Sequence, residues 1–180
     1  MNYSLRIFIF LIFINLAANA QRNNVVVGPS IYLPTGNSSN VSGFGLGAYV
    51  KGEVGLSPKF SITAQGDYTH FLGKRIRVIG TSIQSITAVP IKGGLKYYTG
   101  EDFYLEGQLG VALPVSGTTK TTFAWSPGIG TYLKNKNNSN YIDLGIRYEA
   151  WTSASVSSTS GRSLSSFNYF AIRAGYAFNL

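Results

Sequence analysis

Ten charged residues lie inside the alternating segments of this chain, and all ten fall on one side of the alternation: Lys51, Glu53, Asp67, Lys92, Lys96, Glu106, Asp143, Arg147, Glu149 and Arg173. A two-residue period belongs to a β-strand, whose successive side chains point to opposite faces. One face of each segment therefore carries large apolar residues. The other carries Gly, Ala, Ser and Thr with a few ions. Two such unlike faces are hard to accommodate in any fold except one that gives each face its own medium.

The segments are eight: 25–33, 43–56, 60–71, 85–98, 103–113, 121–133, 141–151 and 167–180. The first is irregular and contains Gly28-Pro29. In the others the apolar phase is clear, as in Phe103, Leu105, Leu109, Val111 and Leu113, or in Phe170, Ile172, Ala174, Tyr176, Phe178 and Leu180. No stretch after residue 20 shows a 3.6-residue period, so no helix is expected there. The connections alternate in length: 34–42, 70–84, 114–120 and 152–165 are long, whereas 57–59, 99–102 and 135–140 are short. Eight strands joined this way describe an all-β, antiparallel, up-and-down barrel, with both chain ends on the short-turn side.

Alternation alone does not say which face is inside. A soluble ligand-carrying barrel points its apolar phase inward, a membrane barrel outward. Volume separates the two. An eight-stranded barrel is just wide enough for its own side chains or one small ligand, and the apolar phase would overfill it. The small phase fits, provided that its buried charges are paired. Lys51 and Lys92 are expected against Glu53 and Glu106, and Arg147 and Arg173 against Asp143 and Glu149. The apolar phase then faces lipid, and in lipid the sheet must close because no backbone group can be left unpaired. Charged residues make up 12% of the chain, about half the ~25% of soluble domains. Aromatics near the strand ends suggest two interfacial girdles: Phe60, Tyr97, Tyr98, Phe103, Tyr132 and Tyr141 by the short turns, and Tyr68, Phe71, Phe123, Trp125, Trp151 and Phe167 toward the long loops.

Residues 1–20 read as a secretory signal peptide: one basic residue, an apolar run from Ile7 to Leu16, and Ala18-Asn19-Ala20 as the cleavage pattern. The run is about half the ~20 residues of a spanning helix. Residues 21–180 then form one barrel domain. The chain has no cysteine, which removes disulfides, thiolate metal sites and thiol nucleophiles. Its net charge of +8 is scattered rather than clustered, and export argues against nucleic acid as a partner. No metal-ligand cluster or phosphate-binding glycine motif is present, and no cofactor is expected. The long loops carry only basic charges: Lys74, Arg75, Arg77, Lys120 and Arg162.

On these residues the chain resembles the small eight-stranded outer-membrane β-barrels of Gram-negative bacteria. It is similar to the Bacteroidota-type barrels and, more distantly, to the transmembrane domain of outer membrane protein A. The resemblance implies an outer-membrane location with periplasmic termini. It also implies a final strand read by the barrel-assembly machinery at alternating apolar positions, here Tyr176, Phe178 and Leu180, where the family usually ends on Phe. It implies a monomeric, non-enzymatic protein with a polar, plugged interior, serving envelope structure or surface interaction. Lipid A-modifying enzymes and narrow channels share this barrel size. The deacylase type needs a His two residues before a Ser, and the single histidine, His70, is followed by Phe71 and Leu72. The palmitoyl-transferase type needs a hollow apolar interior and an amphipathic N-terminal helix, and neither is evident. Facing outward, the basic loops would meet lipopolysaccharide phosphates, though they equally fit solvated loops with no specific partner.

Overall fold

The computed structural model describes residues 22–76, 81–82, 84–117, 120–134, 140–152 and 166–180. They form ten strands: β1 Asn23–Pro34, β2 Ser42–Gly55, β3 Phe60–Gly73, β4 Arg75–Ile76, β5 Thr81–Ser82, β6 Ile86–Tyr98, β7 Phe103–Ser116, β8 Thr122–Lys134, β9 Tyr141–Thr152 and β10 Ser166–Asn179. Eight of them close into an antiparallel barrel in the order β1-β10-β9-β8-β7-β6-β3-β2. Chain neighbours are sheet neighbours, and β1 meets β10 along Asn24↔Asn179 to Pro34↔Tyr169. Asn23 and Asn179 therefore sit at the end of the barrel where β2 turns into β3, and the described parts of the long connections lie at the opposite end.

Two local elements lie where only loops are expected. Gly36–Asn40 is a 3-10 turn that begins on a residue at φ +56°, a conformation glycine adopts without strain, and Ser39 Oγ donates to Gly36 O at 2.7 Å. The connection after β3 contains the β4–β5 hairpin. Neither is long enough to show a period. The first segment, irregular in sequence, is a regular strand: Asn24, Val26, Ser30 and Tyr32 point inward.

The bulky phase points outward throughout. Leu109 is 62% exposed, Val50 51%, Ile91 52% and Phe123 50%. The ten charges of the alternating segments all point inward, and none is more than 5% exposed. The aromatic girdles need correction. Phe60, Phe103, Tyr68, Phe123 and Trp125 do face outward, but Tyr98, Tyr132, Phe71, Trp151 and Phe167 are buried in the lumen. Tyr141 is half-buried and packs on the inner tyrosines. The reason is parity. Tyr98 is two residues from Lys96, Phe71 four from Asp67 and Trp151 two from Glu149, so each shares the inward phase of its charged neighbour. Room for the rings comes from glycines opposite them: a side chain at Gly130 would collide with the Tyr104 ring, and one at Gly175 with Tyr49.

Candidate functional site

The lumen is filled in three layers. At the loop end, Phe71 packs against Tyr32, Trp151, Phe167 and Tyr169 with centroid separations of 4.8 to 5.8 Å. Below this plug lies the largest polar cluster. Asp67 accepts from Gln65 Nε2 at 2.8 Å and lies 3.2 Å from Lys92 Nζ and 3.5 Å from Arg147. Lys92 also pairs with Glu149, whose other oxygen accepts Trp151 Nε1 at 2.8 Å and the Tyr169 hydroxyl at 2.6 Å. Arg173 donates to Glu106 at 2.6 Å and to Gln65 Oε1 at 2.8 Å. Gln108 donates to Gln65 and Glu106, both at 3.1 Å, and accepts from Arg147.

The terminal end is closed by tyrosines and two further ion pairs. Lys51 meets Asp143 at 2.5 Å, and Tyr104 donates to the same carboxylate. Lys96 pairs with Glu53, which also accepts from the Tyr98 and Tyr132 hydroxyls. The Lys96 ammonium lies 4.1 Å from the Tyr104 ring centre and 4.9 Å from that of Tyr132, in cation–π range.

These pairings replace the expected ones. Lys51 takes Asp143, Lys92 takes Asp67 and Glu149, Lys96 takes Glu53, Arg147 takes Asp67, and Arg173 takes Glu106. The expected partners lay along one wall, but in a barrel this narrow an extended Lys or Arg spans the lumen. Five of the six lumen bridges join strands that are not neighbours in the sheet, and Lys92–Asp67 is the exception. The side chains act as struts between opposite walls. Among the described residues five basic and five acidic residues share the lumen, so its formal charge is balanced.

Sequence reasoning missed part of the network. Gln65 and Gln108 join its halves, and Tyr98, Tyr104, Tyr132, Tyr169 and Trp151 donate to its carboxylates. All share the parity of the charges. The loop cations are not gathered. Lys74 follows β3 and Lys120 precedes β8, both exposed, and those two strands are not neighbours. Arg75 opens β4. Arg77 and Arg162 lie outside the described residues, as does the segment 1–20. His70 faces outward, its Nδ1 2.9 Å from Thr87 Oγ1. Among the described residues no group of His, Cys, Asp and Glu could hold a metal ion. On β10, Tyr176 and Phe178 are exposed, the Tyr176 hydroxyl lies 3.1 Å from Asn140 Nδ2, and Leu180 N donates to Asn23 O at 2.9 Å.

No family model matches the sequence, and comparison with curated proteins finds no match. Solved structures do match. The barrel is similar to the crystal structure of Ail, the attachment invasion locus protein of Yersinia pestis, at 14% identity and a TM-score of 0.55, over 89% of this chain and 99% of that one. Ail in complex with the heparin analogue sucrose octasulfate gives 15% identity and 0.56, over 88% and 100%. The backbone structure of this outer membrane protein in a phospholipid bilayer nanodisc gives 12% and 0.50, over 88% and 100%. At such identities the likeness is one of fold: the chain has the closed, eight-stranded antiparallel barrel of outer-membrane proteins.

Proposed function

We propose that this chain is a non-enzymatic integral outer-membrane β-barrel protein of the Bacteroidota type, serving envelope integrity or surface interaction, whether adhesion or a place in an envelope assembly. The observation that carries the reading is a filled, charge-balanced lumen inside an apolar wall. A wall of exposed Leu, Ile, Val and Phe is favourable only in hydrocarbon. Among the described residues, a lumen closed by rings and struts offers neither a hollow for an acyl substrate nor a wide path for solutes, which disfavours the lipid A-modifying and channel alternatives. Residues 1–20 serve as the export signal, and 21–180 form the mature barrel with its termini in the periplasm. Tyr176, Phe178 and Leu180 are the positions read by the barrel-assembly machinery. The protein works as a monomer, without cofactor or metal.

The long loops then face outward, and Lys74, Arg75, Arg77, Lys120 and Arg162 contact lipopolysaccharide phosphates. The complex of Ail with the heparin analogue sucrose octasulfate supports looking for an anionic partner. Two measurements test the reading. Detergent extraction with heat-modifiable gel migration should recover a closed barrel from the outer membrane, and recovery from the soluble periplasm would overturn the membrane assignment. Replacing the five loop cations with Gln should lower lipopolysaccharide co-purification several-fold with the barrel intact. Unchanged co-purification would overturn the loop contact alone.

A further inference from the structure

Of the eight barrel strands, β1 alone places no side chain in the lumen network among the described residues. Struts or hydroxyl donors come from β2 (Lys51), β3 (Asp67), β6 (Lys92), β7 (Glu106), β8 (Tyr132), β9 (Asp143) and β10 (Arg173). The inward residues of β1 are Asn24, Val26, Ser30 and Tyr32. Its loop half is nevertheless anchored. Tyr32 packs on Phe71 and Tyr169, and Thr35 N donates to Asn168 O at 2.9 Å. Its terminal half has the backbone ladder and Val26, and one residue before the strand Arg22 lies over the Tyr98 ring at 4.2 Å; none of these ties it to β10 by a side chain.

The ladder is also interrupted, on one side only. Asn23 O accepts from β10 and Arg22 O accepts from β2, so the odd residues of β1 face β10 and the even ones face β2. Pro29 is odd. Its missing N–H is the one that would reach β10 at Ala174, and the β1–β10 register passes from Val27↔Tyr176 to Ser30↔Arg173 without partners between. Toward β2 the register is continuous through Gly28↔Tyr49 and Pro29↔Ala48. Gly28 lies so close to β10 that a Cβ there would come within 2.1 Å of Ala174 O. Behind this half of the seam, both polar atoms of the Asn24 side chain, the Tyr49 hydroxyl and Arg173 Nε are buried without partners. Closing the barrel leaves them unsatisfied.

We propose that the terminal half of the β1–β10 seam is a built-in opening: residues 23–27 part from β10 about the Gly28-Pro29 interruption while staying paired to β2, and the other seven strands remain held by the struts. The opening starts at the terminal rim of the barrel, where water and lipid headgroups can satisfy the freed backbone groups, and it gives access from that rim to Asn24, Tyr49 and Arg173 without unfolding the barrel.

Residue-resolved amide hydrogen exchange on the protein folded in detergent micelles tests this, and does so whether or not the proposed membrane role is correct. The Val25 and Val27 amides face β10, and those of Asn24 and Val26 face β2. Val25 and Val27 should exchange about 100-fold faster than Asn24, Val26 and the Ile31 amide beyond the interruption. Uniform protection of β1 would overturn the proposal. Equal release of all four terminal amides would also overturn it, since that is a frayed end and not a seam. Because the chain has no cysteine, a disulfide between V27C and Y176C, register partners across the seam, is an unambiguous lock. It should bring Val25 to the protection of Val26, reversibly on reduction, and persistent fast exchange in the locked form would count against the proposal.

Discussion

Leu95 and Lys96 are consecutive on β6 and occupy opposite media. The Leu95 side chain stands on the outer wall, 52% exposed, whereas Lys96 is fully buried among Glu53 and three tyrosine rings. A water-soluble domain reverses this arrangement. The inner face of the barrel is held by specific, directional contacts, each of the ten ions with a named partner. The apolar residues of the outer wall need none, because any hydrocarbon serves them equally well. Substitutions should therefore be judged inside by what they leave unpaired, and outside by polarity and depth.

The sharpest break of that contrast is Arg173→Met. It strands Glu106 in the lumen, and losing one partner of a buried pair should cost about 3–5 kcal/mol in reversible urea unfolding from lipid vesicles. Adding Glu106→Leu should restore most of the loss, because two apolar residues of similar volume can replace a buried pair at little net cost. If the double variant were as unstable as the single one, the struts would matter through the rest of the network and not as pairs.

On the outer face the corresponding break is Leu109→Arg, half-way along β7 and facing out. It removes no specific contact, yet a charge near the bilayer middle should cost about 2–4 kcal/mol. Leu109→Phe at the same place should be nearly silent. The penalty should depend on the lipid, falling when the same pair is compared in detergent. A lipid-independent penalty would mean that the outer wall is not facing hydrocarbon.

Parity made the contrast legible in the sequence, because a two-residue period assigns every strand residue to a face once one charge is placed. It assigned the ten charges and the bulky phase. The same parity assigns Tyr98, Tyr132, Phe71, Trp151 and Phe167 inward, against the pull of their positions near strand ends, where aromatics usually mark a membrane interface. Parity says nothing about who meets whom across the lumen. Arg173 reaches Glu106 because of the stagger between β10 and β7, a property of barrel closure that no local pattern encodes. The regularity of β1 was hidden because Val25, Val26 and Val27 are bulky on both faces. The β4–β5 hairpin and the 3-10 turn are too short to carry a period at all.

The smallest expected effect concerns the one ion pair outside the lumen among the described residues. Lys134 Nζ lies 2.5 Å from Asp102, as close as Lys51 to Asp143, but both side chains are about half exposed at the barrel rim. Water screens the pair and two long side chains must be ordered to form it, so Lys134→Gln should change stability by about 0–1 kcal/mol. Lys51→Gln, at the same separation in the lumen, leaves Asp143 with the Tyr104 hydroxyl but without its cation, and should cost several-fold more. Measured in the same vesicles, the two variants isolate burial from distance. Equal effects would mean that water reaches the lumen pairs as freely as the rim, and the struts would then be ordinary surface bridges folded inside a wall.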